Sequence, residues 1–231
     1  MTNLNKLEKK ISVKFNDENL LKKALTHRSF LNETSDETVK ESNERLEFLG
    51  DAVLQFLSSE FLFAAYPNFE EGVLTNIRSK IVNTESLASE AKKLELPSYI
   101  LISKGEKQTA YESDHILANT FEALLGAIYL DQKDIDLCRN FLTTHLFYKI
   151  ESLVNEGQLK DPKSLYQEIS QEKYSITPTY KVVQEVGPDH NKSFTVAVFL
   201  NDRKIAHGSG ASKRKAEQEA AANALKIEEI R

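Results

Sequence analysis

The spacing of the hydrophobic residues changes once along this chain, and the change divides it into two parts. From Leu4 to about Ile150, apolar residues recur every three or four positions, which is the spacing of one face of an α-helix. Beyond residue 160 the spacing becomes two, most clearly in Phe194–Asn201, where the side chains alternate as they do along a β-strand. A helical part is therefore followed by a part that contains a sheet.

The boundary between the two parts is predicted at residues 151–160, where apolar density falls and a glycine interrupts the pattern. Asp161-Pro162 then favours the start of a new helix, because proline is well tolerated in a first helical turn. We therefore expect an all-α domain over residues 1–150, a linker over residues 151–160 and a small second domain over residues 161–231.

The second domain is expected to be a small α+β unit in the order α-β-β-β-α. Its first strand is predicted to carry Tyr180, Val182 and Val186 on one side, and two further strands are predicted over Phe194–Asn201 and Arg203–His207. The sequence beyond them is rich in Ala, Glu, Gln and Lys and predicts a terminal helix. The two helices are expected to cover one face of an antiparallel sheet.

Charge and composition limit the class of protein. The net charge is −5, yet residues 160–231 hold 12 Lys and Arg against 10 Asp and Glu, whereas residues 1–159 hold 18 against 25. An acidic first part suits hard cations. The longest apolar run, Ala123–Leu130, has 8 residues, far fewer than the roughly 18 that span a bilayer. The charged segment Met1–Glu8 and the single cysteine, Cys138, favour a cytoplasmic protein that contacts no membrane.

A narrow polar stripe on an otherwise apolar helix is the strongest indication of chemistry. Within Asn43–Leu57, the acids Glu47 and Asp51 lie four residues apart, so they share one helix face. A helix that is apolar on its other sides is predicted to be buried, and burying unpaired carboxylates is costly. A divalent cation would compensate this cost, because hard cations bind carboxylate oxygens.

A second predicted helix repeats this pattern. Asn119 and Glu122 lie three residues apart on it, and Gly126, on the same face, would permit close approach of another helix. Packed together, the two helices would bring these residues and Glu47 and Asp51 into one oxygen-rich cluster, which suits magnesium-assisted phosphodiester hydrolysis. Acids four apart usually mark a solvated helix face, and spacing alone leaves that alternative open.

The segment Asn43-Glu-Arg-Leu-Glu-Phe-Leu-Gly-Asp51 resembles the signature of the ribonuclease III family, and Ala24–Ser29 and Phe121–Tyr129 resemble two flanking blocks in the same order. This resemblance covers essentially the whole chain. It implies a homodimeric, magnesium-dependent endoribonuclease that cleaves double-stranded RNA to 5′-phosphate and 3′-hydroxyl ends. It also implies a role in rRNA and mRNA processing and RNA decay, with Mn²⁺ as a substitute for Mg²⁺.

The same resemblance assigns roles to individual acids. Glu47, Asp51 and Glu122 match the metal-binding acids of the family, and Asp51 and Glu122 are the expected catalytic residues. Glu44 and Glu71 match further acidic positions of the cleavage cleft.

Asn119 departs from the family pattern, in which an aspartate is usual in a sequence like Ile-Leu-Ala-Asp. Asparagine keeps a carbonyl oxygen that can bind a metal, but it lacks the negative charge. Three outcomes stay open: an active natural variant, which we favour, weaker magnesium binding, or an engineered inactivation. The alternative to an active enzyme is a duplex-RNA-binding regulator that is catalytically weakened or silent.

Cations crowd the predicted start of the last helix. Ser212-Lys-Arg-Lys215 places three positive charges at the helix N-terminus, where the helix dipole is already positive. A phosphate docked there would offset this repulsion. Gly208-Ser-Gly210 would let the backbone come close to that phosphate. The domain resembles a double-stranded-RNA-binding domain, which reads duplex shape, so a DNA endonuclease is less favoured. The resemblance implies RNA contacts by Gln167, Glu168, His190, Lys192, Ser212, Lys213, Arg214 and Lys215.

Two chemically versatile side chains are expected to be structural. His27 lies beside Leu25 in a helical block, which favours capping or packing over catalysis. Cys138 has no base near it in the sequence and suits a buried position.

Overall fold

A computed structural model describes residues 4–34, 40–107, 112–155, 161–188 and 192–229. Contacts between residues divide the chain into two compact units, Met1–Glu156 and Gly157–Arg231. The division falls inside the expected linker 151–160.

The first unit is helical, as the spacing of its apolar residues predicted. A π-helical turn, Thr143–Phe147, joins its last two helices, and short 3₁₀ turns lie at Arg28–Asn32, Leu96–Ser98 and Lys104–Glu106. The helices are α1 (Leu4–Ile11), α2 (Glu18–Ala24), α3 (Glu44–Ala65), α4 (Glu71–Ile81), α5 (Thr84–Lys93), α6 (Asp114–Gln132), α7 (Ile135–Leu142) and α8 (Tyr148–Asn155).

Short polar side chains fix where several of these helices begin. Asp17, Asn83, Ser113 and Asp134 each accept a backbone N–H from the first turn of the helix that follows. A cap of this kind satisfies a donor that the helix itself cannot pair, and it typically contributes about 1 kcal/mol.

The helix α6 is the centre of the first unit. It packs against α2, α3, α5 and α7, so nearly all of its circumference is covered. This explains why its sequence is apolar on several sides rather than along one stripe. Its fully buried side chains include Leu117, Phe121, Leu124, Leu125 and Ile128.

The helices α3 and α6 cross with their backbones in contact at two glycines. A Cβ atom on Gly126 would lie 2.2 Å from the carbonyl oxygen of Leu46, and one on Gly50 would lie 1.8 Å from the carbonyl oxygen of Glu122. Backbone atoms inside a packed helix pair cannot move aside, so any larger residue would push the helices apart. The close approach expected at Gly126 is confirmed, and Gly50 is its counterpart on α3.

One face of α3 is exposed, contrary to the expectation that this helix is buried. Phe48, Phe56 and Phe63 are 81%, 59% and 76% exposed, whereas Leu54 and Leu57 on the opposite side are buried against the core. The sequence shows that α3 is apolar on several sides, but the neighbouring helices of this unit cover only one of them.

By length and composition alone, α3 is the one helix in the described ranges that could cross a membrane. Its first turns carry Glu44, Glu47 and Asp51, and charged side chains inside a bilayer are costly. The packing of α3 against α6 makes it a helix of the domain core.

The helix α8 extends further than expected. Residues 151–155, which the sequence analysis placed in the linker, continue this helix because Leu153 and Val154 are half-buried one turn after the buried Ile150. The remaining linker residues, 156–160, lie outside the described ranges.

The second unit has the predicted order α-β-β-β-α. It consists of α9 (Pro162–Tyr174), β1 (Thr179–Val186), β2 (Ser193–Leu200), β3 (Arg203–Gly210) and α10 (Lys213–Glu229). The sheet is antiparallel in the order β1-β2-β3, and both helices pack on one face of it. The shared core contains Tyr166, Val198, Leu200, Ala206, Ala220, Ala221 and Ala224.

A β-bulge changes the expected register of β1. Val182 and Gln184 pair with consecutive residues of β2, so Val183 is an extra residue in the strand. An extra residue reverses the side on which later side chains point. The prediction that Tyr180, Val182 and Val186 share one side is therefore wrong for Val186.

The strand β3 is longer than predicted and ends at Gly210 rather than at His207, because Gly208 and Gly210 also pair with β2. Their role differs from the expected one. A Cβ on Gly208 would lie 2.2 Å from the backbone nitrogen of Ala220, and one on Gly210 would lie 2.8 Å from that of Ala216. These glycines let α10 pack directly on the sheet.

The glycine contact between α3 and α6 makes a prediction about stability. Gly126→Ala should lower the free energy of unfolding by about 1–3 kcal/mol, because the added methyl group must separate two helix backbones. Urea denaturation followed by helical circular dichroism measures this change.

Gly72→Ala is the matched control, because nothing lies within 4 Å of a Cβ at this position in α4. It should be neutral or slightly stabilising, since alanine favours a helix more than glycine does. A Gly126→Ala protein as stable as the parent would show that the crossing tolerates a methyl group.

Candidate functional site

The crossing of α3 and α6 brings together four residues that the sequence analysis assigned to a metal site. Glu47 and Asp51 flank Gly50 on α3, while Asn119 and Glu122 lie on the facing side of α6. The charges of Glu47 and Asp51 both act on Glu122, so these acids lie within electrostatic reach of one another. The two polar stripes therefore lie close to each other.

Glu122 is the most strongly perturbed acid of this cluster. Burial raises the pKa of Glu122 to about 7, and the charges of Asp51 and Glu47 also contribute to this increase. In the part of the chain that the structure describes, no basic side chain forms an ion pair with Glu122. Its carboxylate is therefore partly dry and uncompensated, a state that favours binding of either a proton or a cation.

Glu47 is perturbed in the same direction and contacts Asn119. Burial raises the pKa of Glu47, as do the charges of Glu44 and Asp51, whereas a hydrogen bond from Asn119 lowers it. The amide nitrogen of Asn119 must be the donor, because an ionised carboxylate only accepts. An aspartate at position 119 could not donate in this way.

The donor set of the cluster fits a hard divalent cation. Three carboxylates and one amide supply only oxygen ligands, which is the preference of Mg²⁺, and their uncompensated charge would be neutralised by a cation. Among the described residues, no three His, Cys, Asp or Glu side chains converge as a ready-made metal site. The acids are therefore gathered close together, but they do not yet share one coordination sphere.

A cavity of about 500 Å³ opens beside Glu47 and Asn119. Its walls come from the 3₁₀ turn at Arg28, the start of α3 and the first turn of α6. One wall residue, His115, escaped the sequence analysis, although its position four residues before Asn119 places both on one helix face. The lining residues are His27, Arg28, Asn43, Glu44, Glu47, His115, Ile116 and Asn119.

His27 is a structural residue, as expected. It caps the 3₁₀ turn, where its Nδ1 lies 2.9 Å from Oγ of Ser29 and accepts the backbone N–H of the same residue. Burial lowers the pKa of His27, although the nearby Glu106 opposes this effect. Cys138 is also structural: it is fully buried, and burial raises the pKa of its thiol to about 12.

The two accessory acids lie in different places. Glu44 lines the cavity beside the cluster, with its carboxylate 3.8 Å from the guanidinium of Arg28. Glu71 instead lies at the start of α4, in a groove of about 540 Å³ between α3 and α4 whose walls include Phe56 and Phe63. A single chain therefore brings Glu44 to the cluster but not Glu71.

The predicted RNA-contacting residues of the second unit that can be described are exposed, except for Lys192. Gln167 and Glu168 lie on the exposed face of α9, and His190 lies outside the described residues. Lys192, just before β2, is half-buried. The exposed residues at the start of α10 are Ser212, Lys213, Arg214 and Lys215.

The start of α10 is partly organised within its own unit. Oγ of Ser212 accepts the backbone N–H of Lys215 at 3.2 Å. Lys213 lies 3.4 Å from Glu185 and packs over the ring of Phe194. Exposed cations at a helix N-terminus suit an anionic partner such as phosphate.

The perturbed pKa of Glu122 makes a prediction about pH. The Glu122 carboxyl group holds its proton more tightly in the folded than in the unfolded protein. Its contribution to the free energy of unfolding is therefore complete below about pH 4.5 and is lost as the pH rises through about 7. Without divalent metal, Glu122→Gln should therefore stabilise the protein at pH 8 but not at pH 4. We expect on the order of 1 kcal/mol, allowing for screening by solvent.

Urea denaturation in the presence of a chelator, at both pH values, measures this difference. A variant that gains no stability at pH 8 would show that the folded protein tolerates the Glu122 charge without cost. Added Mg²⁺ should stabilise the parent more than the variant, because the variant lacks one ligand.

Both units match known families along their lengths. Residues 17–150 match the ribonuclease-III-like family, and residues 162–228 match the double-stranded RNA binding motif. Solved structures agree. The nuclease domain of ribonuclease III from Campylobacter jejuni is 37% identical, with a TM-score of 0.58 over 64% of this chain and 97% of that one. A second structure of that domain, described for flexibility in a region involved in dimer formation, has a TM-score of 0.57.

Full-length relatives extend the similarity across both units. Ribonuclease 3 of Borreliella afzelii is 43% identical over 95% of this chain and 89% of its own length. Ribonuclease 3 of Nitratiruptor sp. is 42% identical over 98% of this chain and 97% of its own length. With the helical unit, the α-β-β-β-α unit and this similarity, the resemblance seen in the sequence is confirmed: the chain belongs to the ribonuclease III family and is an endoribonuclease of double-stranded RNA.

Proposed function

We propose that this enzyme hydrolyses duplex RNA with Mg²⁺ held by Glu47, Asp51, Asn119 and Glu122. The observation that carries the proposal is the half-buried carboxylate of Glu122, which has acidic neighbours and no basic partner among the described residues. Bound Mg²⁺ would activate water and stabilise the charge that develops on the phosphate. Mn²⁺ prefers similar oxygen ligands and would substitute for it.

Each residue of the cluster has a distinct part in this proposal. Asp51 and Glu122 would be the catalytic residues, one on each of the two helices whose separation is set by Gly50 and Gly126. Glu47 supplies a further carboxylate, and the amide of Asn119 orients it. The products would carry 5′-phosphate and 3′-hydroxyl ends.

The second unit would hold the duplex by shape. Gln167 and Glu168 on α9 suit contacts with 2′-hydroxyls, and the cations at the start of α10 suit phosphates across the neighbouring groove. His190 and Lys192 are proposed to contact a further minor groove. This mode of binding carries no base readout, so it is compatible with many transcripts.

We also propose that the enzyme is a homodimer that associates through the exposed face of α3. Phe48, Phe56 and Phe63 form an apolar surface that a second copy would bury. In a dimer with two-fold symmetry, the same surface of each chain forms the interface. The related nuclease domain with a region involved in dimer formation supports this assignment. Glu71, in the groove beside these phenylalanines, would then line a cleavage cleft across the interface.

We place this activity in the cytoplasm, in rRNA and mRNA processing and in RNA decay, as membership of the family implies. A second candidate function rests on Asn119, which removes one negative charge from the cluster. In that case the protein binds duplex RNA as a regulator but cuts it weakly or not at all.

Cleavage of a long, perfectly paired RNA in the presence of Mg²⁺ tests the proposal. The parent should give short duplex products, and Glu122→Gln should lower kcat by about a thousandfold, or about 4 kcal/mol, because it removes a metal ligand. Glu95→Gln is the control, since this exposed acid pairs with Lys10 away from the cluster and should leave cleavage unchanged.

Tight binding of duplex RNA without cleavage by the parent would favour the regulator. The variant Asn119→Asp then decides the cause. If Asn119→Asp cuts RNA that the parent does not cut, the missing charge is what silences the parent. If the parent is already active, Asn119→Asp should only lower the Mg²⁺ concentration needed for the half-maximal rate.

The proposed dimer makes a separate prediction. Phe63→Glu should raise the dissociation constant of the dimer by at least about a hundredfold, because it places a charge within an apolar contact. Light scattering coupled to gel filtration measures the mass. Val183→Glu, which places a charge on an exposed apolar position of β1, is the control, and a Phe63→Glu dimer as stable as the parent would exclude this face.

A further inference from the structure

The cavity beside the acidic cluster has a wall that the metal site does not explain. Glu47 and Asn119 belong to the cluster, but Arg28, Asn43 and His115 line the same space and carry N–H donors. A carboxylate-bound metal ion needs oxygen ligands rather than N–H donors. This wall therefore suits a group that accepts hydrogen bonds.

Asn43 is the most informative residue of this wall. It is only 4% exposed, and its backbone N–H is fixed by the carbonyl of Thr26 at 2.8 Å. Although it stands at the N-cap of α3, its side chain makes no capping hydrogen bond to that helix, and it lines the cavity instead. The amide of Asn43 therefore offers an N–H donor to an acceptor group in the cavity.

The local field also favours an anion on this wall. The helix α3 begins at Glu44 and α6 begins at Asp114, so both direct the positive ends of their dipoles toward the cavity. Arg28 is 74% exposed in its side chain and lies 3.8 Å from Glu44, too far for a hydrogen bond, so its planar donors remain available. His115 lies exposed in the first turn of α6.

We propose that this wall binds a phosphodiester group of the RNA strand being cut, adjacent to the scissile one, through Arg28, Asn43 and His115. The inference rests on the proposed function and deepens it by naming the part of the substrate that this cavity holds. Arg28 would pair with two phosphate oxygens, and the Asn43 amide would donate to one of them. The scissile phosphate then lies toward Glu122, where the metal is proposed to bind.

The acids of the same cavity do not contradict an anion there. Glu47 accepts a hydrogen bond from Asn119, and Glu44 lies 3.8 Å from Arg28, so Glu44 and a phosphate would share this guanidinium through different N–H groups. His27, the remaining basic residue of the wall, is held by Ser29 in its capping role and takes no part in the proposal. The cavity thus has a metal side at Glu47 and Asn119 and a phosphate side at Arg28 and Asn43.

The test measures duplex binding by the full chain without cleavage. All proteins carry Glu122→Gln, Mg²⁺ is present, and the probe is a fluorescent RNA duplex of about 30 base pairs, longer than the roughly 16 that one binding domain spans. Its dissociation constant is measured over a range of salt concentrations. Arg28→Gln should weaken binding about tenfold and reduce the slope of log affinity against log salt by about 0.9, the value for one lost phosphate contact.

Asn43→Asp supplies an independent variant of nearly the same size and with the same preference for a helix start. It replaces the N–H donor with a negative charge, so it should weaken binding at least as much as Arg28→Gln. His115→Gln should weaken binding only a few-fold, because a glutamine can still donate.

Arg45→Gln is the matched control, because it removes the same charge from the first turn of α3 at a position that does not line the cavity. If Arg45→Gln and Arg28→Gln reduced the slope of log affinity against log salt equally, the proposal would be overturned. The change would then be due to the loss of one positive charge anywhere on this surface. Unchanged binding by Arg28→Gln would also overturn it. The readout does not depend on cleavage, so an inactive parent would refute the proposed hydrolysis and leave this result interpretable.

Discussion

The contact between the backbones of α3 and α6 at Gly50 and Gly126 sets the geometry on which the proposed active site depends. Side chains of ordinary size would hold the two helices about 8–10 Å apart, whereas here a carbonyl of each helix occupies the space of the missing Cβ on the other. Glu122 itself supplies one of these carbonyls. The position of its carboxylate relative to Glu47 and Asp51 is therefore set by main-chain packing, which is more rigid than any arrangement of long side chains.

This close packing creates an electrostatic conflict as well as a site. It removes Glu122 from water and surrounds it with like charges, so the ionised carboxylate is unfavourable in the metal-free protein. Groups perturbed in this way are common where an enzyme binds a cation or moves a proton. The wall formed by Arg28 and Asn43 carries N–H donors instead, so the region of the cleft near Glu47 would present separate surfaces to the proposed metal and phosphate.

The second unit uses glycine for a related purpose. Gly208 and Gly210 let α10 approach the sheet so closely that its inward residues are alanines, including Ala216 and Ala220. From the sequence, these glycines were expected to admit a phosphate, because a glycine-rich turn before a helix start has that use elsewhere. Sequence alone cannot tell whether a glycine makes room for a ligand or for another part of the same protein.

The sequence by itself determined the helical and sheet-containing parts, the order α-β-β-β-α and the polar stripes at Glu47 and Glu122, because side-chain spacing follows directly from the geometry of helix and strand. It could not determine which side of α3 stays exposed, that β1 contains a bulge, or that Asn43 and His115 line one cavity. Those features depend on contacts between residues that are far apart in the chain. The spacing of side chains predicts which residues share a face of a helix or strand, but not which other element covers that face. Only the tertiary structure decided them, because burial depends on the neighbours that packing supplies.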